Sequence, residues 1–188
     1  MRIKAEEFTA GQYYHIYNHA CGKELLFQDE EDYLKCLALI ERYYFAADYR
    51  IICYCLMPNH YHFLIHQISD IPAYMYFNKI WFSYSKYFNQ KYSRKGSIFG
   101  GRLQHIGIRS NEYLMRLCAY IHRNPLEAKL VRDVKNWQWS DYAEWMGLRK
   151  RVWVDTELID SRFPQPGDYV EFVRNFEINE VDYKSCLD

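Results

Sequence analysis

The sequence has no apolar run near the roughly 20 residues that a bilayer-spanning helix needs, which argues against an integral helical membrane protein. Its first residues, Met1-Arg2-Ile3-Lys4-Ala5-Glu6-Glu7, hold neither the apolar segment nor the small-residue cleavage pattern of a secretory signal. A cytoplasmic protein is therefore expected. Cysteine is present but never as a C-x-x-C pair: Cys21, Cys36, Cys53, Cys55, Cys118 and Cys186 are scattered. That spacing suggests neither a zinc finger nor a disulfide framework, and the thiols read as reduced and mostly core. Net charge is also absent, with 24 basic and 24 acidic residues.

The zero sum hides an uneven distribution, and distribution decides binding. Between Ile71 and Asn111 there is no Asp or Glu, while Lys79, Lys86, Lys91, Arg94, Lys95, Arg102 and Arg109 all fall there. From Asp155 onward acids outnumber bases, giving an acidic C-terminal stretch. The plain alternative is a solvated helix face followed by an acidic tail. With 188 residues, 49% hydrophobic and 19% aromatic, the chain can bury a proper core and is not disordered. One domain with an appendage is expected: a main unit over 1–148 and an acidic extension over 149–188 packed on it.

Periodicity gives the order of elements. Gln12 to His19 is β-prone with some alternation and reads as a first strand. Asp29 is an N-cap for a helix from Glu30 to about Ala47, whose apolar positions recur every three or four residues. Ile51 to Met57 reads as a central strand, Pro58-Asn59 as a turn, and His60 to Gln67 as the returning strand of a hairpin. A helix over about Ala73 to Tyr92 and a fourth strand over Leu103 to Ile108 complete a β-α-β-β-α-β series. That series is the α+β, ferredoxin-like (RRM-like) arrangement: an antiparallel sheet with helices on one face and the other face free for a ligand. Ser110 then caps a helix expected to stop at Pro125. Trp137, Trp139, Tyr142 and Trp145 read as core packing, and a last helix is expected from Asp168.

Two stretches carry chemistry. In Met57-Pro58-Asn59-His60-Tyr61-His62, the two histidines alternate on a strand, so they share a face with Cα atoms roughly 6.6 Å apart. Two imidazoles at that spacing can converge on one divalent ion, but a lone pair is equally two polar residues on a strand. In Tyr120-Ile121-His122-Arg123-Asn124-Pro125, Tyr120 and Asn124 are four apart and share a helix face. Were that face to lie beside His60 and His62, Asn124 would supply a third ligand and Tyr120 would stand next to the ion. His122 is the rival third ligand, although regular helix geometry turns it away. By itself Tyr120, one of 19 tyrosines, would read as core packing.

Taken together, Met57 to His62, Phe99-Gly100-Gly101-Arg102, Tyr120 to Ala128 and Trp139-Ser140-Asp141-Tyr142 resemble the HUH single-tyrosine transposases, particularly the REP-associated tyrosine transposases. The resemblance runs over roughly Gln12 to Gly147; Asn18 to Gly22 departs from the usual loop, and the chain beyond Val152 has no counterpart. It implies a metal-dependent endonuclease and strand transferase acting on single-stranded, hairpin-forming DNA. Tyr120 would be the nucleophile, giving a 5′-phosphotyrosine; His60, His62 and Asn124 would hold Mg²⁺ or Mn²⁺. Lys91, Arg94, Lys95 and Arg102 are the first candidates for DNA contact. Members carry the tyrosine helix within one subunit or across a dimer, so both a monomer and a homodimer fit. Two other classes remain open: a non-catalytic single-stranded DNA- or RNA-binding protein of this fold, and a metal-dependent hydrolase using water. The acidic tail would then cap the active site as a mimic of DNA.

Overall fold

The computed structural model describes residues 8–176. The expectations placed on Met1 to Glu7, on Cys186 and on the acids Glu177, Glu180, Asp182 and Asp188 lie outside the described residues. Strands β1 (Tyr13–His19), β2 (Tyr49–Met57), β3 (His60–Gln67) and β4 (Gln104–Ile108) form one antiparallel sheet in the order β2-β3-β1-β4. Helices α1 (Glu30–Tyr43) and α2 (Tyr74–Lys91) make the two crossovers, so the ferredoxin-like α+β architecture is what forms. Helix α3 (Asn111–Glu127) follows, then α4 (Tyr142–Trp145), α5 (Glu157–Arg162) and α6 (Pro166–Arg174).

Each face of the sheet has its own core. On one, Tyr14 and Ile16 of β1, Tyr61, Phe63 and Ile65 of β3, and Tyr54 and Leu56 of β2 pack against Ile40 of α1 and Phe77, Ile80, Trp81 and Tyr84 of α2. On the other, Cys53, Cys55, Met57 and Leu64 pack against Leu117, Cys118 and Ile121 of α3, with Tyr169 and Val173 of α6 behind. Strand β2 serves both cores, and a register shift between Ile51 and Cys53 inserts an extra residue into it. Before the bulge the odd positions face α1 and α2; after it the even positions do.

Local chemistry fixes the ends. Asp29 accepts from the Asp32 amide and Asp32 returns the bond to the Asp29 amide, a reciprocal cap at the α1 N-terminus. The ammonium of Lys91, at the end of α2, sits 2.8 Å from Asp29, 3.0 Å from Glu31 and 2.9 Å from Asp32, tying the two crossover helices together. Gly100 lies where the chain must pass close: a Cβ there would stand 3.3 Å from the Ala20 carbonyl oxygen.

Several expectations change. Helix α1 stops at Tyr43 rather than near Ala47, because Tyr44 turns extended (ψ 132°) and packs edge-on against Tyr49. Helix α3 does not stop at Pro125 but carries it in its last turn and ends at Glu127. Proline gives up one ladder bond there, while the amides of Ala128 and Leu130 still close onto Asn124 and Pro125 carbonyls, both at 2.9 Å. The second sheet face is not open: α3 and α6 cover much of it. Of the aromatic cluster, Trp139 joins the α1/α2 core from a loop, while Tyr142 and Trp145, at the two ends of α4, join the α3 core. Among the described residues the extension holds two short helices, of which α5 went unforeseen. It is not a detachable tail: Trp153 is 1% exposed, so truncation after Arg151 would strip a core side chain.

Asp141 joins three elements. Fully buried, it accepts from the Tyr54 amide of β2 (2.6 Å), the Trp145 indole of α4 (2.9 Å) and His122 Nε2 of α3 (3.0 Å). Asp141→Ala leaves the buried Tyr54 amide without its acceptor and His122 Nε2 with only the Cys53 sulfur at 3.4 Å, while the Trp145 indole keeps the Ile52 carbonyl at 3.1 Å; an unmet buried donor costs about 1 to 3 kcal/mol. Urea unfolding should show a loss of about 2 kcal/mol or more, with Asp141→Asn milder; an unchanged midpoint would mean the network is not structural.

Candidate active site

The site lies where β1 and β3 pair at the centre of the sheet. Antiparallel register sets Tyr17 opposite His62 and His19 opposite His60, all with side chains on the α3 side. Successive residues of a strand alternate faces, so His15, Tyr17 and His19 line up beside His60 and His62. The His60 and His62 rings are 5.0 Å apart and nearly perpendicular, and the His19 ring is 5.2 Å from His60.

Helix α3 brings its polar face onto this row. The Tyr120 ring stands edge-on to His62 with centroids 5.8 Å apart, and Asn124 Oδ1 is 3.5 Å from His60 Nε2. The amide of Asn124 is oriented by its own helix, since its Nδ2 donates to the Tyr120 carbonyl at 2.9 Å. The oxygen therefore faces the histidines. His122 points the opposite way, and its ring nitrogens are committed: Nε2 to Asp141 at 3.0 Å, and Nδ1 accepting from the Tyr169 hydroxyl at 2.7 Å. Cys53, His122 and Asp141 offer ligand atoms within 4.8 Å of one another, yet they form a hydrogen-bonded lock between α3, β2 and α6. Thus His60, His62, Tyr120 and Asn124 are brought together within one chain, and His122 is not among them.

The basic residues are more dispersed. Lys91 is taken by three carboxylates and Arg94 is 2.5 Å from Glu24, so their charge is already answered. Lys95 and Arg102 are exposed on the loop before β4. Arg102 borders a cavity with Asn18, Trp81 and Phe82, and Phe82 is 74% exposed.

The model of the family described as "Transposase IS200 like" matches residues 9–124, well over half of the chain and spanning every residue of the row and of its α3 partners. The chain belongs to this family. It is a DNA-cleaving and DNA-joining enzyme of the HUH single-tyrosine transposase type. Among solved structures it is similar in fold to one described as "Structure of the REP associates tyrosine transposase bound to a REP hairpin". The TM-score is 0.63 at 16% identity, over 82% of this chain and 97% of that one. No curated protein sequence matches. No helix among the described residues is long and apolar enough to cross a membrane.

The residues that sequence reasoning missed in this transposase are His15, Tyr17 and His19. Their alternation was visible, but which face they shared with the His60 pair depends on β1–β3 register, which one strand alone does not show. Burial keeps the row uncharged. It pushes His15 down to about 3 and His60 down to about 4, the latter aided by neighbouring His19 and opposed by Asn124. His62 falls well below the ordinary histidine value through burial, then through His60, His15 and His19.

These lowered values make stability depend on pH. Unfolded histidines titrate near pH 6.5, so below that value the unfolded chain binds protons that the folded chain refuses. The stability contributed by neutral His15 and His60 is complete above about 6.5 and falls by about 2 kcal/mol per histidine between pH 7.5 and 5. Urea unfolding in EDTA at the two pH values should show this loss, and a smaller one in His15→Leu; a pH-independent midpoint would contradict it.

Proposed function

We propose that this transposase cuts and rejoins single-stranded DNA at hairpin-forming sequences through a 5′-phosphotyrosine on Tyr120, with Mg²⁺ or Mn²⁺ held by His60, His62 and Asn124. The observation that carries the reading is the convergence of Tyr120 and Asn124 on the histidine pair inside one chain. The donor set fits a cation. His62 Nε2 is buried with no hydrogen-bond partner, and Asn124 turns its oxygen, not its nitrogen, toward His60. His60 Nδ1 is 2.8 Å from Asn59 Oδ1, an acceptor, which leaves the His60 Nε2 lone pair facing Asn124. Two imidazoles and an amide oxygen suit Mn²⁺ and, less well, Mg²⁺. A divalent cation bound there would polarise a non-bridging phosphate oxygen and offset the charge that develops during attack.

The chain's own residues supply the rest. The Tyr120 oxygen attacks phosphorus, the bond from phosphorus to the 3′-oxygen breaks, and the DNA 3′-hydroxyl leaves with a proton. A phenol, with a pKa near about 10, is a weak nucleophile until deprotonated but a good leaving group. The reverse attack by a 3′-hydroxyl then reseals DNA and returns Tyr120 without an external energy source. A water-using hydrolase could not reseal. In this reading residues 1–148 are the catalytic domain and 149–188 an extension packed on it, the tyrosine helix acting on its own subunit whether or not two copies associate. Lys95 and Arg102, free of ion pairs among the described residues, are the better placed of the basic candidates to meet phosphates. Support for a hairpin substrate comes from the fold neighbour, a tyrosine transposase bound to a REP hairpin.

Incubation with hairpin-bearing single-stranded oligonucleotides and Mn²⁺ should give a covalent protein–DNA adduct on denaturing gels. Tyr120→Phe and EDTA should each abolish it, and His60→Ala or His62→Ala should reduce it to background. Cleavage that survives in Tyr120→Phe would point to water as the nucleophile; binding without cleavage across a broad oligonucleotide set would leave a DNA clamp.

A further inference from the structure

We propose that His15 is a positioning residue for the cation site, accepting the Nδ1 hydrogen of His62 and so holding His62 in the tautomer whose Nε2 lone pair is available to a metal. The inference rests on reading His60, His62 and Asn124 as that site, and adds a residue from another strand that touches neither the cation nor DNA.

A neutral imidazole carries one N–H and one lone pair, and the partner of one nitrogen decides the state of the other. His62 Nδ1 faces His15 Nε2 at 2.9 Å, and each residue is 1% exposed, so water does not compete for the bond. Register explains the meeting: His15 lies opposite Leu64, which makes His62 its diagonal neighbour on the same face. The rings run nearly parallel, 19° apart, with centroids 5.1 Å apart.

Two hydrogen placements satisfy this contact, and they differ at the far nitrogen. If His15 donated, His62 would carry its hydrogen on Nε2, a buried donor without an acceptor that no cation could use. If His62 donates, Nε2 is a buried lone pair, whose desolvation cost a bound cation relieves. The other imidazole is arranged in the same sense, since His60 Nδ1 meets Asn59 Oδ1 at 2.8 Å. That contact is at the exposed hairpin turn, where water can stand in for Asn59. The buried His15 contact has no such substitute, so the whole effect should be visible at His15. A histidine that merely filled space would leave the His62 tautomer indifferent to what replaced it.

The test compares wild type with His15→Gln, whose side-chain amide oxygen reaches near the Nε2 position as an acceptor, and with His15→Leu and His15→Phe, which fill space without accepting. Mn²⁺ affinity is measured by calorimetry on protein shown to be folded by circular dichroism. The His62 tautomer is read in the metal-free protein by long-range ¹H–¹⁵N NMR. Wild-type His62 should carry its hydrogen on Nδ1. His15→Leu and His15→Phe should weaken Mn²⁺ binding by about 10- to 100-fold, the usual effect of removing a partner that orients a ligand, and His15→Gln should restore most of it. A wild-type His62 hydrogen on Nε2, or wild-type Mn²⁺ affinity in either folded non-accepting variant, would overturn the positioning role alone. The NMR reading needs no variant and stands even if both fail to fold. Absence of Mn²⁺ binding in wild type would overturn the cation site itself, and this role with it.

Discussion

The carboxylate of Asp141 accepts the Tyr54 amide of β2, the Trp145 indole of α4 and the His122 imidazole of α3, and in doing so fixes the rotation of α3 about its own axis. A helix docked by apolar side chains alone can slide or roll among nearby packings of similar energy. A buried carboxylate fixed by β2 and α4 removes that freedom, because its bond to His122 is lost if the helix turns. Tyr169 of α6 closes the His122 ring from its other nitrogen, and Arg123 donates to the Val173 and Arg174 carbonyls at the end of α6. With His122 pinned on one flank, Tyr120 and Asn124 are presented on the other. The extension is thus part of what sets how α3 presents Tyr120 and Asn124 to the histidine row.

The opposing half of the site depends on strand pairing. β1 and β3 are the two central strands, each hydrogen-bonded on both sides. A slip of one residue between them would send His15, Tyr17 and His19 to the α1/α2 core, where Tyr14 and Ile16 now pack. The apolar pattern on that face therefore enforces the histidine row on the other. The same burial that keeps these imidazoles neutral makes them competent as ligands and acceptors rather than cations.

How much of this could be read from residues alone varied with the range of the interaction. Helix α2, the hairpin at Pro58-Asn59 and the order of the six core elements follow from local patterns, and all form. Tyr120 and Asn124 shared a helix face by spacing, and His60 and His62 a strand face. What brought the two pairs together was non-local and entered only through resemblance to a family. His122 shows the limit well: its chemistry made it a rival ligand, and only Asp141, nineteen residues on, and Tyr169, forty-seven on, explain why it is occupied elsewhere. Lys91 shows the same in charge, since an acid-free stretch in sequence proved to lie against the acids of α1.

The bulge in β2 acts as a phase shifter. Its inserted residue puts Ile52 and Cys53 in succession on the same layer, so the alternation that follows runs in the opposite phase, and nearly the whole of Tyr49–Met57 is buried as an unbroken apolar run. Such a strand tolerates conservative swaps at single positions but not a loss of the irregularity. Were the same nine residues to run as a regular pleat, everything from Cys53 onward would exchange layers. Cys53 and Cys55 would leave the surface on which α3 rests, and the helix that carries Tyr120 would lose its floor.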